Sequence, residues 1–98
     1  MVDDKKLAKL ISEFVIGLLK KAKVTHAGNC LAMSEILCSY LKLFGVHTKV
    51  INVHVKRKKN RRNHYCLQMQ SGEIIDATAS QFKGMPKIYI GIRPENYL

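Results

Sequence analysis

The chain has 98 residues, 47% of them apolar, enough for one packed domain spanning 1–98 and too few for two. Seventeen Lys and Arg against seven Asp and Glu leave a net charge of +10, a field that draws acidic protein surfaces or nucleic acid and also favours solubility. No stretch reaches the roughly 18 apolar residues of a membrane span, and the Met-Val-Asp-Asp-Lys-Lys start lacks the order of a secretory signal, so a cytoplasmic protein with no membrane partner is expected.

Residues 1–23 read as an amphipathic N-terminal helix. Leu7, Leu10, Ile11, Phe14, Val15, Leu18 and Leu19 recur at three and four, with Lys5, Lys6, Lys9, Glu13 and Lys20 opposite. Asp3 and Asp4 suit the positive end of its dipole and Lys20, Lys21 and Lys23 the negative end. Gly28 then permits a turn and Asn29 is a good N-cap. A second helix is expected from Cys30 to about Phe44, with Leu31, Ser34, Leu37, Cys38, Leu41 and Phe44 on one face. It is apolar on most sides, which predicts a place at the centre of the domain, and Gly45 stops it.

β-branched residues follow. Val50, Ile51, Val53 and Val55 mark a first strand. Lys56, Arg57, Lys58, Lys59, Arg61 and Arg62 form an exposed tip. A second strand alternates His64, Cys66 and Gln68 with Tyr65, Leu67 and Met69. Glu73 to Thr78 gives a third strand, and Ile88, Ile90 and Ile92 a fourth. The order is α-α-β-β-β-β, which predicts an α+β fold with two N-terminal helices packed on an antiparallel sheet.

Three cysteines, at 30, 38 and 66, are an odd number and make no disulfide framework. Reduced thiols are the simpler reading. Cys38 sits mid-helix among apolar neighbours and reads as core. Cys66 shares a strand face with His64, so both core packing and a redox role stand open. Cys30 differs, because it opens a helix, where unpaired N–H groups and the dipole favour a thiolate and offer donors to an oxyanion. A nucleophilic thiol also needs a base and a group that orients the base.

The turn between the second and third strands supplies both. A three-residue loop with Gly72 in the left-handed position pairs Met69 with Glu73. Cys66 then faces Asp76, and His64 lies one diagonal step from Asp76 on the same face, roughly 7–8 Å away at the backbone. A two-residue loop would put the two on opposite faces.

Gly28-Asn29-Cys30 opening an apolar helix, Leu43-Phe44-Gly45-Val46 closing it, His64-Tyr65 on a strand and Ile74-Ile75-Asp76-Ala77-Thr78 together resemble the transglutaminase-like, papain-related core. The resemblance covers about residues 28–82. It implies Cys30 as nucleophile, His64 as general base and acid, and Asp76 as the orienting carboxylate. The implied chemistry is acyl transfer at amide bonds: proteolysis, glutamine deamidation or amide exchange with an amine, with no cofactor. Ala77 stands where proline is frequent in that family, and the chain has no tryptophan. Asn29 and Gln81 are the oxyanion candidates. Small stand-alone domains with this pattern resemble bacterial effector and toxin modules.

Two other readings come from the residues. His26, Cys30, His64 and Cys66 offer two N and two S ligands for zinc, but no pair has the close spacing of a zinc motif, so no metal is expected. The tip at Lys56–Arg62 is compatible with a solvated loop, with phosphate neutralisation on nucleic acid, or with docking of an acidic protein or peptide substrate. No aromatic interleaves the run, which argues against a single-strand stacking platform. In the non-catalytic alternative, this tip makes the domain a nucleic-acid or acidic-protein binder.

Overall fold

The computed structural model describes residues 3–24, 28–56 and 60–98. Helix α1 spans Asp4–Lys21 and α2 spans Cys30–Leu43. Strands β1 (Thr48–Lys56), β2 (Arg61–Met69), β3 (Ile74–Asp76) and β4 (Tyr89–Gly91) follow, with a 3-10 turn at Ala79–Gln81. The strands form one antiparallel sheet in the order β1-β2-β3-β4. The architecture is α+β, two helices and a four-stranded antiparallel sheet.

Local chemistry sets the helix ends. Asp3 accepts the Lys5 N–H at 3.0 Å with its side chain, capping α1. The α2 helix closes through Gly45, whose φ of 82° lets Val46 N–H reach the Leu41 carbonyl at 2.9 Å. The α1 helix closes in the same way, with Val24 N–H on Leu19 at 2.9 Å, but the left-handed position is Lys23, at φ 61°. A side chain there is strained where glycine would not be.

The α1 stripe is rotated from the expected one. Ala8, Ile11, Ser12 and Val15 are buried, while Leu10 is 63% exposed, Phe14 60% and Leu18 43%. The seven apolar residues span about half the helix circumference. The chief partner of α1 is α2, and one neighbour covers a stripe only somewhat wider than about 100°. Likewise α2 lies between α1 and the sheet, burying Met33, Ser34, Leu37 and Leu41. Leu31 and Phe44, expected on that face, are exposed, as is Leu43.

The basic tip is shorter than the sequence suggests. Arg61 and Arg62 are already in β2, opposite Lys56 and Val55. Arg57, Lys58 and Lys59 lie outside the described residues, as does His26. The third and fourth strands are trimmed to three residues each, and Ile92 is exposed.

The sheet has a core on each face. On one, Val50, Leu67, Met69, Ile75 and Ile90 meet Ala8, Ile11, Val15, Leu37 and Leu41 of the helices. On the other, Ile51, Val53, Val55, Cys66 and Ile74 are covered by Phe82, Met85 and Tyr97 from the C-terminal segment. That segment also pairs with the outer edge of β1. His54 N–H donates to the Leu98 carbonyl at 3.0 Å, Leu98 N–H to the His54 carbonyl at 2.9 Å, and Lys56 N–H to the Asn96 carbonyl at 2.7 Å.

Three consecutive residues of α1 therefore carry opposite expectations. Leu10→Ala changes stability by no more than about 0.5 kcal/mol, because the side chain is in solvent. Ile11→Ala costs about 2–5 kcal/mol as a core deletion. Ser12 is fully buried, and its hydroxyl has no hydrogen-bond partner among the described residues, so Ser12→Ala raises stability by about 1 kcal/mol. Urea denaturation of the three variants checks the rotation of the helix directly.

Candidate active site

The β2–β3 turn has the form that the sequence predicts. Gly72 takes φ 92°, Met69 N–H donates to the Glu73 carbonyl at 2.8 Å, and Leu67 pairs with Ile75. This register brings His64 and Asp76 to one sheet face on neighbouring strands. Both side chains are 0% exposed, and His64 Nε2 lies 2.7 Å from Asp76 Oδ2.

The remaining polar groups determine how the protons are arranged. Asp76 Oδ2 also accepts the Tyr97 hydroxyl at 2.6 Å. Its Oδ1 accepts the Thr78 backbone N–H at 3.0 Å and the Thr78 hydroxyl at 3.2 Å. With its proton given to Asp76, Thr78 Oγ1 is an acceptor for the Gln81 amide at 3.1 Å. The second proton of that amide points to His64 Nδ1 at 3.3 Å. Every donor then has an acceptor if the neutral imidazole carries its proton on Nε2 and keeps a lone pair on Nδ1. Phe82 and Tyr97 meet the imidazole edge-on, at centroid distances of 4.8 and 5.8 Å.

Cys30 is the first residue of α2 and is half-buried. Asn29 occupies the N-cap position, but its side chain makes no cap hydrogen bond. The position of this helix end follows from the sheet ladder. The N–H and C=O groups of Met69, Leu67 and Tyr65 point toward β3, yet β3 ends at Asp76 and the pairing ends at Leu67↔Ile75. The Tyr65 carbonyl accepts instead from the Ser34 hydroxyl at 3.3 Å. Cys30 stands one turn before Ser34 on the same helical face. The Ser34 bond thus ties α2 to the open edge of β2 at Tyr65, the residue that follows His64. Among the described residues, no hydrogen bond joins Cys30 to His64, and Nδ1 faces the Gln81 amide.

The other thiols differ. Cys38 Sγ contacts Thr48, with the carbonyl at 3.5 Å. Cys66 is fully buried, and burial pushes its thiol up to about 12, helped by the Asp76 charge and opposed by Arg93. It is a core residue of the His64 face. Of the site members, Tyr97 has no signal in the sequence, since an isolated bridge to Val55 holds it far from any periodic pattern. Thr78 is visible there only as part of the Asp-Ala-Thr segment.

Two surface grooves lie at the other end of β2. One, of about 410 Å³, is lined by His47, Lys49, Gln68 and Gln70, and one of about 190 Å³ by Asp3, Asp4 and Glu73. Neither reaches His64. Among the described residues, no three His, Cys, Asp or Glu side chains cluster as a metal site requires, and no helix is long and apolar enough to cross a membrane.

The unfolded Cys66 thiol ionises near about 8.5, and the folded one near about 12. The folded state therefore keeps a proton that the unfolded chain releases, so this contribution to stability is full below the lower value and lost as pH rises through the window. Cys66→Ser should flatten the fall of stability between about pH 9 and 10 by one proton equivalent. Iodoacetamide at pH 9 should leave Cys66 unmodified in the folded protein and modify it in urea, as read by peptide mass.

No family model, no curated protein and no solved structure matches the chain.

Proposed function

We propose that the domain is a cysteine-dependent amide hydrolase or acyltransferase of the transglutaminase-like kind. The observation that carries this reading is the buried His64–Asp76 pair, in which Asp76 Oδ2 holds Nε2 and Nδ1 is left facing only the Gln81 amide. A carboxylate that fixes one imidazole nitrogen leaves the other as a base of defined direction. Cys30 is the nucleophile. Its thiol proton passes to Nδ1 once the Gln81 amide moves aside, and the thiolate attacks a substrate amide carbon. The carbonyl π pair moves onto oxygen, where backbone N–H groups at the α2 N-terminus, with Asn29 or Gln81, stabilise the negative charge. Collapse expels the amine, which takes the proton from His64. Water or a second amine, deprotonated by the same imidazole, then releases the acyl group.

An activated ester tests the chemistry without knowledge of the natural substrate. With p-nitrophenyl acetate, the domain should release one equivalent of p-nitrophenol in a burst and gain an acetyl group on Cys30. Cys30→Ala should remain folded and lose the burst, and Asp76→Asn should slow it by about 10² or more, the lower range of base catalysis. An acetyl group found only on Cys38, or a burst that survives in Cys30→Ala, removes Cys30 from the role.

The substrate is acidic on this reading. Lys56 and Arg61 face each other as the last pair of the β1–β2 ladder, and like charges directly opposed destabilise a sheet unless an anion sits between them. The same observation favours the non-catalytic alternative, a nucleic-acid or acidic-protein binder through Lys56, Arg61 and Arg62. Replacing Lys56 and Arg61 with serine should weaken binding to a polyglutamate or duplex DNA probe. On DNA, the log–log salt slope should fall by roughly 0.9 for each phosphate that the variant no longer neutralises. An unchanged slope moves the anion surface elsewhere. If binding is strong while the ester burst is absent, the binder reading replaces the enzyme.

A further inference from the structure

Asp76 has more donors than a Cys-His-Asp arrangement requires. An orienting carboxylate needs one bond to the imidazole, and this one accepts four, two on each oxygen. Both bonds on Oδ1 come from Thr78, two residues away, and are local to the turn after β3. The second bond on Oδ2 comes from Tyr97, 21 residues away in a segment anchored to the opposite edge of the sheet. It falls on the same oxygen that holds His64.

We infer that Tyr97 is the positioning residue of the His64–Asp76 pair, acting through Oδ2 to fix the direction of the imidazole. The inference rests on the reading of His64 as the base for its catalytic consequence, but its structural part stands apart from that reading. A carboxylate is planar, so donors that fill both lone pairs of Oδ1 and one of Oδ2 leave a single direction for the last donor, Nε2–H. The Tyr97 ring adds a second constraint by meeting the imidazole edge-on at 5.8 Å, and it packs against Phe82 at 6.0 Å. Burial and the adjoining Asp76 carboxylate raise the ionisation of Tyr97 above its ordinary range, so the phenol keeps its proton and remains a donor at neutral pH. Without the hydroxyl, Oδ2 has an unfilled lone pair in a site closed to water, and the direction of the Nε2–H bond is no longer fixed from the Oδ2 side.

Tyr97→Phe removes the oxygen and keeps the ring between Phe82 and His64. The first readout is the His64 Nε2–H proton, observed by NMR of ¹⁵N-histidine-labelled protein. In the variant this resonance should move and exchange with solvent roughly tenfold faster, the scale of one lost hydrogen bond to a charged group. The melting curve should remain cooperative. The second readout is acetylation of Cys30 by p-nitrophenyl acetate, which should slow by about tenfold. A merely structural tyrosine would lower the melting temperature and leave the Nε2–H resonance in place, and that result overturns the inference. In the wild-type protein a cross-peak between the Tyr97 hydroxyl proton and His64 Nε2–H is expected, and its absence overturns the inference even if the variant does not fold. If the resonance moves in Tyr97→Phe while wild-type Cys30 is never acetylated, Tyr97 positions His64 and the cysteine-enzyme reading fails.

Discussion

A carboxylate with no exposed surface is the constraint around which this sheet is arranged. Taking an ion of that size out of water costs several kcal/mol even after relaxation, and a single partner does not offset that. Asp76 has His64, Thr78 and Tyr97, and each of the three comes from a different part of the chain. To supply them, β2 must pair with β3 in one register, β3 must turn sharply at Ala77, and the C-terminal segment must return across the sheet to lie on β1. The apolar residues of that face, Val53, Val55, Cys66, Ile74 and Phe82, then close around the polar group and exclude water. Low dielectric makes a satisfied network rigid and an unsatisfied one very unfavourable, so the fold has little freedom in how it places the imidazole.

The helices solve a separate problem. They cover the opposite face of the sheet, and α2 is tied to β2 through the Ser34–Tyr65 bond at the place where β3 has ended. A ladder that stops early leaves a strand edge with unpaired backbone groups, and a helix N-terminus with its own side-chain donors fits there. The short β3 is therefore what admits α2 to this edge. A longer third strand would have paired with Tyr65 and taken the carbonyl that the Ser34 hydroxyl now holds.

Much of this is legible in the sequence, for reasons that can be traced to single residues. Gly72 after Gln70 and Ser71 sets the loop length, the loop length sets the register, and the register puts His64 beside Asp76. Gly45 marks the end of α2, and the alternation from His64 to Met69 marks a strand with two unlike faces. What is not legible depends on the surroundings of each residue. Leu10, Phe14 and Leu18 have the spacing of a core stripe, but α1 has too few neighbours to cover them. Arg61 and Arg62 look like loop residues by charge and are strand residues by pairing. Tyr97 belongs to the site through an isolated bridge, and contact between distant segments leaves no periodic mark. Gln81 stands out for its amide, yet the partner of that amide, Nδ1 of His64, emerges only from the folded chain.

The C-terminal segment has one more property. Where residues 96–98 lie along β1, they occupy backbone groups of His54 and Lys56 that would otherwise be open to a strand from another molecule. Sheet edges of this kind are where proteins pair wrongly and aggregate. Tyr97 sits in the middle of that short cover, so detaching it uncovers the edge in the same motion that releases Asp76. Molecules in which Asp76 has lost its Tyr97 partner are thus also the molecules with an open strand edge.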